Sequence, residues 1–131
     1  MPADTVIKII IGSLKGNMQT LGKDIVAEAL RSAGFQVFDL GVNVAPEDFV
    51  EAAVRKQADV VAISISVDET LPLLGDVVSL LRKKKLSGSV KTVIGGRAVS
   101  EEKRRQYAID AYATDAEDCV RQVRNLLSPD K

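Results

Sequence analysis

Hydrophobic positions fall along this chain in two alternating rhythms. Val6, Ile7, Ile9, Ile10 and Ile11 form a largely β-branched run around Lys8, the signature of a strand buried on both faces. A polar, glycine-bearing loop follows from Gly12 to Thr20. Leu21, Ile25, Ala29 and Ala33 then recur every four residues, which predicts a helix closed by Gly34. Phe35–Leu40 is a second strand. Pro46-Glu47-Asp48 puts proline at the first helical position and acid in the first turn, opening a helix that carries Phe49, Val50, Ala53 and Val54 inward. Asp59–Ser64 is a third strand. The next helix opens near Asp68-Glu69 and closes on Arg82-Lys83-Lys84-Lys85, acid first and base last, as the helix dipole favours. Its apolar stripe is Leu71, Leu74, Val78 and Leu81. Val90–Ile94 is a fourth strand, stopped by Gly95-Gly96. Ser100 caps a short helix, and Ile109–Ala113 is a weak fifth strand. A last helix runs from about Asp115 to Leu127, with Ala116, Val120, Val123 and Leu127 on one face.

Five strands alternating with five helices predict an α/β fold with a parallel sheet. At 131 residues the expected form is a single domain, residues 1–131, with a flavodoxin-like (Rossmann-like) doubly wound sheet. The strand order would be 2-1-3-4-5, with helices on both faces. Ligands in such sheets bind at the carboxyl ends of the strands, which selects the loops Gly12–Thr20, Ser64–Thr70 and Gly95–Ser100.

Composition narrows the chemistry. Lys plus Arg and Asp plus Glu are 18 each, so the net charge is zero, which argues against a nucleic-acid partner or an anionic membrane surface. The opening Met1-Pro2-Ala3-Asp4 has no basic targeting region, and no apolar run approaches the ~20 residues of a membrane span, so the expected location is the cytoplasm. The single cysteine, Cys119, excludes a disulfide framework and reads as a small core residue of the last helix. The chain has no histidine, which removes Ser-His-Asp and Cys-His catalysis, histidine-ligated zinc and a histidine proton shuttle. Little chemistry survives that filter without a borrowed cofactor.

Three ligand classes can be weighed on the loops alone. Gly16 to Lys23 superficially resembles a P-loop, but the spacing is one residue too long and Asp24 stands where Ser or Thr must hold magnesium. On that account Gly22 is expected to allow close helix–sheet packing and Lys23 to be solvated. A phosphorylated receiver needs an acceptor aspartate after the third strand, and that strand ends in Ser64, with Asp68 too far along. A flavin site would rely on Ser13 and Thr20 alone, with no tryptophan to stack on the ring. It stays as an alternative.

Taken together, the loops resemble the cobalamin (vitamin B12)-binding domain. The likeness is closest to corrinoid proteins of methyltransferase systems, and looser to the small subunits of B12-dependent mutases. The family's loop K-G-D-x-H-x-x-G-K-x-I-V is met by Lys15-Gly16-Asn17-Met18-Gln19-Thr20-Leu21-Gly22-Lys23-Asp24-Ile25-Val26. Its G-F-x-V-x-D-L-G is met by Gly34-Phe35-Gln36-Val37-Phe38-Asp39-Leu40-Gly41, and its P-E-x-F-V-E-A-A by Pro46-Glu47-Asp48-Phe49-Val50-Glu51-Ala52-Ala53. Ser64 matches the serine loop and Gly95-Gly96 the double glycine. Ile109-Asp110-Ala111-Tyr112-Ala113-Thr114-Asp115-Ala116 matches the closing A-D-G-Y-A-x-D-A.

The resemblance implies a corrin over the strand ends and a nucleotide tail in a slot between the sheet and the first helix. It implies a cofactor-binding set of Asn17, Met18, Gln19, Thr20, Leu21, Gly22, Ser64, Ser66, Gly95, Gly96 and Tyr112, with Ser64, Gly95 and Gly96 along the tail. Glycines there would let a bulky ligand approach closely. Tyr107 and Tyr112 also read simply as packing residues. The departures are specific. The family's histidine coordinates cobalt and its aspartate orients that imidazole; here these are Gln19 and Asn17, expected to face cobalt or to hydrogen-bond each other. A carboxamide is a far weaker cobalt ligand than imidazole, so no residue is assigned to the metal. Ser66 replaces a usual apolar residue.

The expected function is a corrinoid-binding carrier or subunit for methyl transfer, holding the cofactor base-off without a protein histidine. Methyl carriers of the family bear a helical bundle ahead of the sheet, whereas this sequence starts at the first strand. The corrin's upper face would then be covered by a methyltransferase or mutase catalytic subunit or by a second copy in a homodimer, with a reductive activase as a further partner. The chain would carry the cofactor rather than catalyse alone. The competing reading is a degenerate domain without cofactor, acting as sensor, scaffold or partner subunit. Large side chains filling the slot would favour it.

Overall fold

A computed structural model describes residues 6–127; Met1–Asp4 lies outside the described residues. The elements are β1 (Lys8–Ser13), α1 (Leu21–Ser32), β2 (Gln36–Asp39), α2 (Pro46–Lys56) and β3 (Val60–Ser64), then α3 (Leu73–Lys83), β4 (Lys91–Gly95), α4 (Glu101–Gln106), β5 (Ala111–Tyr112) and α5 (Ala116–Leu126). The sheet is parallel throughout, in the order β2-β1-β3-β4-β5. This is the predicted doubly wound architecture.

Strand alternation sorts the core into two layers. Ile9, Ile11, Val60, Ala62 and Val93 point to the face covered by α1 and α5, where Ala27, Leu30, Cys119 and Val123 meet them. Ile10, Val61, Ile63 and Ile94 point to the other face, against Phe49 and Val50 of α2 and Leu74, Val77 and Leu81 of α3. A sheet covered on both faces explains why its strands read as continuous apolar runs. No helix among the described residues is long and apolar enough to cross a membrane.

Three details differ from the expected pattern. Pro72 lacks an amide hydrogen and is tolerated only at a helix start, so Asp68–Thr70 forms a separate 3-10 turn and α3 begins after the proline. In α2, Ala52 is buried and Val54 is half exposed. In α1 the stripe itself is displaced. Leu21 and Ile25 are 73% and 53% exposed, and the inward positions are Lys23, Ala27 and Leu30. Helical spacing reports that residues share a face, not what covers that face.

Candidate functional site

The carboxyl edge of the sheet carries the candidate site, and its loops are tied to one another. Gly16 has φ +94, and a Cβ there would lie 2.5 Å from Thr70 Cγ2, so the turn after β1 requires glycine. Its amide donates to Asn43 Oδ1 at 2.8 Å, and the Asn43 amide donates to the Asn17 carbonyl at 3.1 Å. The Ser13 hydroxyl reaches the Gln19 carbonyl at 3.2 Å.

Asn17 is the centre of this arrangement. It is 1% exposed. Its Oδ1 accepts from the Ser66 amide (2.7 Å), the Val67 amide (2.8 Å) and the Ser66 hydroxyl (3.2 Å). Its Nδ2 donates to the Leu14 carbonyl (2.9 Å) and to Thr70 Oγ1 (3.0 Å). The amide therefore clamps the loop after β1 to the loop after β3. This corrects the expectation that Asn17 faces cobalt or pairs with Gln19: both of its donor hydrogens are committed inside the protein. Ser66, the other departure, is a partner of that clamp. Gln19 itself is exposed, as are Met18, Thr20 and Leu21 beside it.

Below this rim, on the α1/α5 face, lies an open cavity of about 480 Å³. That is within the range of ligand pockets, roughly 300–1,000 Å³. Ile11, Ala62, Val93 and Ala113 come from the sheet side. Gly22, Ile25 and Val26 come from α1 and Cys119 from α5. Of the residues singled out in the sequence, Gly22, Ser64, Gly95, Gly96 and Tyr112 line it. The lining by Ile25, Val26 and Cys119 was missed. Its sequence signal is the spacing of Gly22, Ile25 and Val26, which puts them on one side of α1.

The glycines act differently from expectation. A Cβ on Gly22 would meet nothing within 4 Å, so this residue leaves open space instead of packing tightly on the sheet. Gly96 has φ +117, and a Cβ on it would lie 2.1 Å from the Ile65 carbonyl oxygen. Its constraint is crowding against β3's continuation, although it also borders the cavity. Tyr112 packs with the α2/α3 core and offers the cavity an edge, and Tyr107 packs in the same layer.

Lys23 is buried, not solvated. Its Nζ lies 2.6 Å from both Asp24 Oδ1 and Asp39 Oδ2, joining α1 to the end of β2. Burial pushes its pKa down, but the hydrogen bonds and charges of the two aspartates outweigh burial and hold it above the ordinary value. Asp24 is lowered in turn, chiefly by its hydrogen bond from Lys23. Cys119 is 3% exposed, and burial, with the Asp118 charge, pushes its thiol up to about 12. It is a neutral wall residue rather than a nucleophile. The Thr114 hydroxyl is engaged by Asp118 and the Ser66 hydroxyl by Asn17. Ser64 follows Val60 and Ala62 in strand alternation and so faces the cavity side. None of the side-chain hydrogen bonds among the described residues engages its hydroxyl.

Comparison with known proteins identifies the arrangement. Residues 7–124 match the family described as the B12 binding domain. The chain is 36% identical over 120 residues to dimethylamine corrinoid protein 1 of Methanosarcina acetivorans, covering 92% of this chain and 56% of that protein. A cobalamin-binding protein from Desulfitobacterium hafniense superposes with a TM-score of 0.89 at 26% identity, over 94% of this chain and 60% of the other. The methanol:cobalamin methyltransferase complex of Methanosarcina barkeri shares the fold, with a TM-score of 0.87 at 22% identity, over 93% of this chain and 46% of that one. This chain thus spans about half the length of the relatives it matches. The resemblance read from the loop motifs is borne out: the chain belongs to the B12-binding domain family, whose cofactor is a corrinoid.

Proposed function

We propose that this chain is a single corrinoid-binding domain serving methyl transfer, and that it holds the cofactor base-off with no protein nitrogen beneath the cobalt. The observation that carries the reading is the open cavity under the carboxyl edge. A domain that had given up its ligand would be expected to fill such a space, because an apolar void forfeits packing contacts. Here Gly22 contributes no side chain at the cavity wall, while the α1 face beside it keeps exposed apolar residues. The lining is mainly apolar and includes the Ser64 hydroxyl, which suits a largely apolar aromatic base.

When bound, a corrinoid supplies a cobalt centre that takes up and passes on a methyl group. The chain's own residues would do the holding. Asn17 fixes the loops after β1 and β3 in one arrangement, so the site is formed in advance and less ordering is needed on binding. Exposed Met18, Gln19 and Leu21 would offer the corrin an uncharged surface, and Ser64 and Gly95, which line the cavity, would hold the tail. The partner that fits this role is a methyltransferase catalytic subunit, which would cover the upper face.

The test is a titration of the purified protein with hydroxocobalamin, beside Gly22→Phe. The parent should take up about one corrinoid per chain. The variant, whose new side chain enters open space, should melt with the parent and lose uptake. A variant that binds as well as the parent places the tail elsewhere. A parent that takes up nothing under oxidising or reducing conditions returns the chain to the degenerate reading.

A further inference from the structure

The basic run that closes α3 takes no part in the site. From Val77 to Ser100 the chain has no Asp or Glu, and Arg82, Lys83, Lys84, Lys85 and Lys91 gather within ten residues of that stretch. Arg82 and Lys83 end α3, Lys84 and Lys85 follow it, and Lys91 opens β4. Arg82 to Lys85 are exposed, and none of the five cations forms an ion pair among the described residues. The carboxylates that neighbouring strands bring to this edge are turned onto backbone: Asp59 Oδ2 accepts the Lys8 amide at 2.9 Å, and Asp110 Oδ2 the Thr92 amide at 2.8 Å. The cavity borders Gly95, at the other end of β4. Four strand steps, about 13 Å, separate that end from Lys91, so the patch lies on the amino edge, opposite the site. The α3 dipole accounts for cations in the last turn. It does not account for Lys85, which lies beyond the helix at φ +60, in the left-handed region where glycine is preferred. The left-handed positions after α2 and α4, Gln57 and Ala108, are uncharged.

We propose that this amino-edge patch docks an acidic segment of a partner protein, a short run of Asp and Glu residues. The inference does not depend on the corrinoid reading. Cations without internal partners give the edge a positive potential that draws and orients such a segment. A lipid surface fits less well, because it calls for apolar side chains to enter the bilayer, and none of the exposed large hydrophobics lies between Arg82 and Lys91. A nucleic acid strand fits less well too, since that stretch has no aromatic residue on which a base could stack. Acid at the opposite edge, with Glu47 and Asp48 opening α2 and Glu101 and Glu102 opening α4, repels a polyanion long enough to reach it.

The test is fluorescence anisotropy with a labelled ten-residue polyglutamate peptide at about 0.15 M salt, where exposed charges beyond about 8 Å are screened. The parent should bind, with the same affinity before and after mixing with hydroxocobalamin. The double variant Lys84→Gln, Lys85→Gly should weaken the peptide about fivefold, as expected for two exposed ion pairs. Its melting temperature should hold or rise, because glycine suits the conformation at 85, and its corrinoid uptake should match the parent's. A patch that serves only the helix end would show the reverse, a lower melting temperature with peptide affinity unchanged. That result overturns the proposal. So does a parent that fails to bind the peptide, or one that binds a polythymidine strand or phosphatidylserine vesicles more tightly under the same conditions.

Discussion

At position 17 a carboxamide performs a task that a carboxylate could share only in part. Asn17 accepts through one end and donates through the other, and the Leu14 carbonyl lies on its donor side. An aspartate would set oxygen against oxygen there. Asn17→Ala leaves the Ser66 and Val67 amides without their acceptor, a loss of about 1–2 kcal/mol, measurable as a lower urea midpoint at unchanged slope. Asn17→Asp should also destabilise, and less so as pH falls and the carboxyl regains a proton. Lys23 sets a different pH signature. Its pKa is raised on folding, so its contribution is complete below the ordinary value of 10.5 and is lost as pH rises through the folded value. Asp24 is lowered, so its contribution is complete above the ordinary 3.8 and fades as pH falls through the folded value. Lys23→Met should therefore flatten the alkaline fall in melting temperature above pH 10.5, and an unchanged fall would refute the pairing. Neither partnership was legible in the sequence. Asn17 meets Ser66 across 49 residues and Lys23 meets Asp39 across 16, and no local pattern encodes contacts that only the sheet order creates.

Among the elements, α1 divides its apolar residues between two tasks. Leu30 is fully buried against the sheet, whereas Ile25 borders the slot and Leu21 is exposed at the rim. Leu30→Ala should cost about 2–5 kcal/mol as a cavity in the core. Leu21→Ser and Ile25→Ser should each change stability by less than about 1 kcal/mol and yet weaken corrinoid uptake. Equal losses of stability for all three would mean that the slot face is ordinary core. The four-residue rhythm showed where the helix is. It could not show that Ile25 of that stripe borders a cavity, because apolar side chains are needed equally against a core and against an aromatic ligand.

For the whole molecule, the layered fold was legible because the central strands β1, β3 and β4 are covered on both faces and most helices carry their own start and stop residues. The strand order followed from chain length and the βα rhythm, and the site's place followed from the strand order. What lay beyond the pattern was the interior of the site: the cavity, the inward clamp of Asn17 and the free hydroxyl of Ser64. The absence of histidine takes its meaning at this scale. The clamp holds the loops whether or not residue 19 can bind metal, so the frame of the site is kept while position 19 carries Gln.

The most direct measurement is the visible spectrum of the protein after mixing with hydroxocobalamin and desalting, for the parent and for Gln19→His. The account predicts that corrin absorbance travels with both proteins, that the parent's bands are those of a cofactor with no nitrogen on its lower side, and that the variant's bands shift to those of a nitrogen-ligated cobalt. A parent that emerges colourless, or one whose bands already report a nitrogen ligand, contradicts it.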